Sequence, residues 1–442
     1  MKIRGESPSP PIQPDRSVPS NPQTRLTLPL REPMRTSDTP PVHRTQQFSV
    51  LKIAPTSFFS DYGCHVRIYE ETLALQALGN KVTICTYHTG NDIEELDIRR
   101  AMNTPGRSTV RVGSNIHKLY YDILLFLKSA QVAASLRPQI VHAHLHEGAL
   151  LGYPVSRVLR APLIFDFQGS LTSEMLDHNF LHRDSPLFRP LRLLERITDR
   201  LPEAVITSSQ NSADMLVREF SYPASRVYTI PDCVNANRFR PRWQLSDQDG
   251  IKKMKGQLGI PLSRKVVVYL GLLAEYQGID QLLEAAAYLV QQRKLPVHFL
   301  IMGFPGEDRY RCKAAQLGLS DWVTFTGRIP YLDAPDYLLL GDVAVSAKIS
   351  ETEGNGKLLN YMAAGLPTAT FNTPVAREIL GDLGVYAKRG NSRSLARALE
   401  FLLVEERAAS EIGLRLRLKA VQDHSWEKAG QQIAEIYQRF AG

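Results

Sequence analysis

A chain of 442 residues is too long for one ordinary core and suits two domains with extensions. Its 43% apolar and 22% charged content is that of a folded globular protein. Its longest apolar runs, at 266–274 and 123–127, fall far short of the ~20 residues that span a bilayer, so membrane contact is expected to be peripheral only. The net charge of +8 favours an anionic partner without choosing among nucleic acid, a membrane surface and a phosphate-bearing small molecule.

Residues 1–46 are dense in Pro, Ser, Thr and Arg and contain no apolar signal core. Such a segment cannot bury enough apolar surface to offset its ordering entropy, and a disordered basic tail is expected, whether a plain extension or a lipid tether. Order is expected from Phe48. SVLKIAP reads as a buried strand, SFFSDYG as a loop, and a helix should run from about Cys64 to Leu78 and stop at Gly79. KVTICTY is the next strand, which completes a βαβ unit of a parallel sheet. Further strands are predicted at 139–143, 163–167, 204–208 and 227–230.

After a polar, tryptophan-bearing stretch at 241–256 the alternation restarts. Strands are predicted at 265–271 and 297–303, each ending in glycine, then at 323–327, 343–347, 367–371 and 385–387. Two Rossmann-like sheets follow, one within 47–235 and one within 236–423, with a terminal segment at 424–442. Ligands of such sheets sit at the carboxyl ends of strands, so the cleft between the domains is the expected site. Cys64, Cys85, Cys233 and Cys312 form no CxxC pair, which points to neither zinc nor a disulfide framework but to small core side chains in a reducing compartment.

The most informative segment is 350–367, SETEGNGKLLNYMAAGLP. Glu353-Gly354-Asn355-Gly356 follows a predicted strand and precedes a helix expected from Lys357 to Ala364, capped by Gly365. Two glycines let the backbone approach a ligand, and free amides with the helix dipole make an anion site. Lys357 in the first turn opposes the dipole by up to ~1 kcal/mol, which suggests a bound anion that reverses the sign. A solvated lysine after a surface turn is the plainer alternative.

Two other constellations stand out. His142, His144 and His146 alternate with Glu147 nearby, and as strand residues they would share one side; a metal site, a cleft wall and structural histidines all remain open. In 187–201 a stripe of Leu187, Leu191, Leu194, Ile197 and Leu201 faces away from Arg189, Arg192, Arg196 and Arg200. This is either a core helix with a solvated basic side or a surface that docks on anionic lipid or a phosphate-bearing acceptor, extended by Phe180 and Arg183. No ladder of aromatics among basic residues suggests nucleic-acid binding.

Taken in order, the motifs resemble the retaining glycosyltransferases of family 4. The matching residues are Gly63, Val141-His142-Ala143-His144, the stretch 230–241 (IPDCVNANRFRP), 323–327, Glu353-Gly354-x-Gly356, 362–367 (MAAGLP) and Ser425-Trp426-Glu427. The resemblance implies an α/β protein of the GT-B fold: two Rossmann-like parallel-sheet domains face across a cleft, acceptor side first and donor side second. A C-terminal helix at 424–442 crosses back to the first domain. It implies cytoplasmic transfer of a sugar from a UDP- or GDP-sugar to a glycan, lipid-linked or small acceptor, with no metal or other cofactor. Peripheral contact with the inner membrane face through the arginine side at 189–200 stays open.

The resemblance also assigns roles. Glu353 would contact the sugar hydroxyls, and the backbone around Gly354, Asn355, Gly356, Lys357 and Leu358 would bind the diphosphate. Gly63 and Gly271 would give the donor close approach, and His144 and Gln168 would line the cleft as catalytic-side residues. Three departures stand against the pattern. Asn360 replaces the second glutamate, which holds the ribose. Leu272 and Gln277 replace the basic residues of the family's diphosphate clamp, with Lys357, Lys348 and Arg328 as candidate substitutes. Gln168 stands where a histidine is frequent. A GT-B disaccharide-phosphate synthase or phosphorylase, and a catalytically weak sugar- or nucleotide-binding protein, are the alternative readings.

Overall fold

The computed structural model describes residues 46–60, 63–103, 116–177, 181–245, 248–350 and 354–441. The N-terminal sheet is parallel and has seven strands: β1 (Ser49–Ala54), β2 (Lys81–Thr86), β3 (Asp97–Arg100), β4 (Ile140–His144), β5 (Leu163–Phe167), β6 (Ala204–Thr207) and β7 (Val227–Thr229). The C-terminal sheet is also parallel and has six: β8 (Lys265–Leu270), β9 (Val297–Met302), β10 (Val323–Gly327), β11 (Val343–Ser346), β12 (Thr368–Phe371) and β13 (Val385–Ala387).

Both sheets are wound the same way. The spatial orders are β3-β2-β1-β4-β5-β6-β7 and β10-β9-β8-β11-β12-β13. In each, the chain runs outward from a central strand, then returns to that strand's other side. The reversals lie between β1 and β4 and between β8 and β11, where ligands of open α/β sheets settle at the carboxyl ends of the strands. Helices cover both faces, so β4, β5, β6 and β9 are buried at every residue and read as near-continuous apolar runs.

That continuity is why the sequence located the strands to within a residue or two. The exception is β3, whose DIRR sequence sits half-buried at the sheet edge and has no apolar run to reveal it.

The expected return of the chain is present. Val234 N donates to His424 O at 2.9 Å, and Val234 pairs with Ser425 where the two crossing segments meet. The helix Trp426–Ala441 then lies on the N-terminal helix Gly63–Ala77, burying Ile433, Ala434 and Tyr437. Tyr437 packs edge-on against Phe48 at 6.2 Å. No helix among the described residues is long and apolar enough to cross a membrane.

Candidate active site

In the C-terminal domain the site forms where β8 and β11 end side by side. Gly271 follows β8 with φ 148°, and its amide donates to Met302 O at 3.0 Å. The chain after β11 leads to the helix Lys357–Ala363, which ends at Gly365 in the left-handed region. Glu353 lies outside the described residues. Asn355 is buried and its Nδ2 donates to Ser346 Oγ at 3.1 Å, so only its backbone can face a ligand. Leu358 is fully buried, Asn360 is half-buried, and Gly356 is exposed at the head of the helix.

The three candidate cations part ways. Lys348 Nζ donates to Gly354 O at 2.7 Å and so ties the glycine loop to β11. Arg328 is exposed over the Phe304 ring and faces the N-terminal domain. There, burial first and the Arg328 charge second push His65 down to about 3. Lys357 alone crosses to the end of β8. Its Nζ donates to Gln277 Oε1 at 2.6 Å and to Tyr269 OH at 3.2 Å, and it lies 4.5 Å from the Tyr269 ring centre.

Across the cleft, Gly63 opens the Gly63–Ala77 helix with open space where a Cβ would stand. Arg67 on that helix grips Asp166 through two nitrogens, each at 2.9 Å, and reaches Asp232 on the interdomain segment at 2.9 Å. Asp166 also accepts from His144 Nδ1 and Gln168 Nε2, both at 3.0 Å. Burial opposes the charge on Asp166, yet Arg67 and His144 hold it well below the usual carboxylate range. A cavity of about 200 Å³ lies between the domains, with Ser208, Asp232, Gly354, Asn355, Glu378 and His424 in its walls.

Two expectations need correction. The three histidines do not share a side. β4 ends at His144, the backbone turns at Leu145 with φ 62°, and His146 falls on a helix. His142 and His144 stack at 4.7 Å, fully buried, and burial pushes His142 down to about 3. His146 instead meets Asp199 at 3.2 Å and Glu195 at 3.7 Å. Both histidine groups gather ligand-type atoms within 4.8 Å, but Lys52 on Glu71 and Arg192 on Glu195 already bring positive charge there.

The second correction concerns the helix Phe188–Asp199. Its polar side faces inward: Glu195, Thr198 and Asp199 are buried, with Glu195 accepting from Ser170 and Thr172 hydroxyls. Leu187, Leu194 and Ile197, which the core-helix reading would bury, are 62%, 42% and 50% exposed. The arginines are not a uniform solvated side either. Arg192 stacks on Phe220 at 4.0 Å, while Arg196 and Arg200 donate to the carbonyls of Glu219 and Phe220. Sequence reasoning also missed Arg67, Asp232 and the acceptor role of Gln277. The one arginine of the helix Gly63–Ala77, set between Val66 and Ile68, was the available signal for the first.

Comparison with known proteins fits this geometry. The sequence model of the Glycosyltransferase Family 4 matches residues 63–238, and that of Glycosyl transferases group 1 matches residues 250–418. The chain belongs to the group 1 glycosyltransferases. It is therefore a transferase with one family module on each sheet.

Among relatives of this glycosyltransferase, the alpha-D-kanosaminyltransferase of Streptomyces kanamyceticus is 25% identical over 315 residues, covering 67% of this chain and 76% of the relative. The alpha-monoglucosyldiacylglycerol synthase of Streptococcus pneumoniae is 25% identical over 317 residues, covering 71% and 69%. The structure of Anabaena HepE in complex with UDP superposes with a TM-score of 0.70 at 18% identity, covering 88% of this chain and 100% of that one, a likeness of fold.

Proposed function

We propose that this glycosyltransferase takes a UDP- or GDP-sugar and delivers the sugar, with its anomeric configuration retained, to a glycan, glycolipid or small acceptor. The observation that carries this reading is the placement of the Gly354–Lys357 turn beside Gly271, at the carboxyl ends of β8 and β11 where the winding reverses. In that position backbone amides and an ammonium meet a diphosphate. Glu353 would hold the sugar hydroxyls, Asn360 the ribose, and the departing diphosphate would take the acceptor proton on the same face of the sugar. His144 is buried, so its part is to fix Asp166 rather than to touch the acceptor. No metal or other cofactor enters this scheme. The complex of HepE with UDP supports a uridine donor.

A lipid-linked acceptor at the inner, cytoplasmic face of a membrane is supported by the outward apolar side of Phe188–Asp199. Leu193 at 57% exposure joins Leu187, Leu194 and Ile197 there, with exposed Arg183 and Arg189 alongside. Apolar side chains among cations suit an anionic lipid surface. The test is a thermal-shift series with UDP and GDP, followed by hydrolysis of UDP-glucose and GDP-mannose and NMR of the product's anomeric carbon. Stabilisation by a nucleoside diphosphate and a retained product are expected. No stabilisation and no hydrolysis would overturn the reading.

A further inference from the structure

We propose that His146, Asp199 and Glu195 form a structural site for a divalent transition-metal ion, zinc by preference, which ties the helix Leu145–Leu159 to the helix Phe188–Asp199. The site takes no part in the donor reading above and does not rest on it.

The geometry starts at the end of β4. The left-handed Leu145 swings His146 off the strand, and its ring is wedged edge-on between Phe165 and Phe167 of β5, with ring centres 5.3 Å away in both cases. From there Nε2 meets the buried side of Phe188–Asp199. Asp199 Oδ1 lies 3.2 Å from it and Glu195 Oε1 3.7 Å, and one ligand-type atom from each residue falls within 4.8 Å of the others. In a tetrahedral zinc site with bonds of about 2.0–2.2 Å, neighbouring ligand atoms stand about 3.3–3.6 Å apart. The two distances from Nε2 bracket that span. One imidazole nitrogen with two carboxylate oxygens is a donor set that suits zinc.

Burial supplies the second argument. Asp199 and Glu195 are fully buried and His146 nearly so. Yet no hydrogen bond reaches either carboxylate oxygen of Asp199 or Nε2 of His146, so their 3.2 Å approach is not aligned as donor and acceptor. Asp199 has no lysine or arginine partner among the described residues. A buried carboxylate without donors is costly to keep ionised, and a cation is what it lacks. Arg192 does not fill that gap. Its Nη1 donates to Glu195 Oε2 at 3.3 Å while its Nη2 donates to Glu219, which leaves Asp199 without a countercharge. Ser170 Oγ donates to Glu195 Oε1 at 2.6 Å and Thr172 N to Oε2 at 3.2 Å, and such outer partners orient a carboxylate ligand. The other histidine group differs, because Lys52 Nζ sits 2.6 Å from Glu71 there. A metal at His146 also accounts for the inverted helix, whose carboxylates must point inward to reach it.

The experiment measures metal on the full chain. Protein treated with a chelator is equilibrated with zinc, desalted, and followed by elemental analysis and thermal melting, for wild type, Asp199→Asn, His146→Gln and the control His142→Gln. About one zinc per chain is expected in wild type and in His142→Gln, with a melting temperature that zinc raises and chelator lowers. Asp199→Asn and His146→Gln should bind zinc roughly a hundred-fold more weakly or worse, and zinc should no longer move their melting. If either variant fails to fold, anomalous scattering from wild-type crystals at the zinc edge decides. A peak between His146 Nε2 and Asp199 Oδ1 supports the proposal, and a peak elsewhere or none overturns it. Wild type without zinc also overturns it, and would leave a proton shared by His146 and Asp199 as the occupant. So would zinc kept in full by both variants, or zinc lost from His142→Gln and kept by His146→Gln.

Discussion

The carboxyl ends of the two sheets share a winding and differ in how they are filled. At the N-terminal sheet, Arg67, His144 and Gln168 all converge on Asp166, and Arg67 carries the network on to Asp232 between the domains. Charge meets charge, out of water. At the C-terminal sheet Lys357 reaches across to an amide oxygen and a phenol oxygen, beside Gly271. The same topological crevice therefore holds an ion-pair network in one domain and, in the donor reading proposed above, would seat an anion in the other. The difference lies in the partners given to each cation.

The sharpest way to break this comparison is to open the ion-pair network. Arg67→Met would leave Asp166 buried and ionised without its counter-ion, and a loss of about 3–5 kcal/mol is expected, read as a large fall in denaturant midpoint. A loss below ~1 kcal/mol would mean the network is incidental. Next in size is Gly271→Ala at the other crevice. It forces a side chain into the left-handed region and against Lys357, and should cost on the order of 1–3 kcal/mol while weakening UDP or GDP binding.

Acid offers a third probe. His65 and His142 titrate in the folded chain near 3, below the 6.5 of an exposed imidazole. The unfolded chain therefore binds more protons in that window, and stability should fall as pH drops from about 6.5 toward 3. Melting temperatures at pH 7, 5 and 4 should show this, with a shallower slope in His142→Gln. The smallest effect belongs to the outer side of the first domain. Ile197→Ser should leave stability within about 0.5 kcal/mol of wild type yet reduce sedimentation with anionic vesicles.

Much of this was legible in the sequence, for physical reasons that also explain the failures. Strands buried on both faces leave apolar runs, and the 354–365 turn announces itself through glycines and a lysine against the dipole. The histidines misled because alternation assumes a strand, and the left-handed Leu145 ends it. The helix Phe188–Asp199 misled because an apolar stripe is read as the inward face, while here the hydrogen bonds of Glu195 and the packing of Arg192 bury the other one. The Lys357–Gln277 contact joins residues 80 apart, and nothing local marks it.

The most direct test is a crystal structure of the full chain with UDP or GDP bound. The account predicts phosphate oxygens within hydrogen-bonding distance of Lys357 Nζ, at the ends of β8 and β11. A diphosphate seated instead by Gly63 and Gln168, or one bound in the second domain with Lys357 turned away, would contradict it.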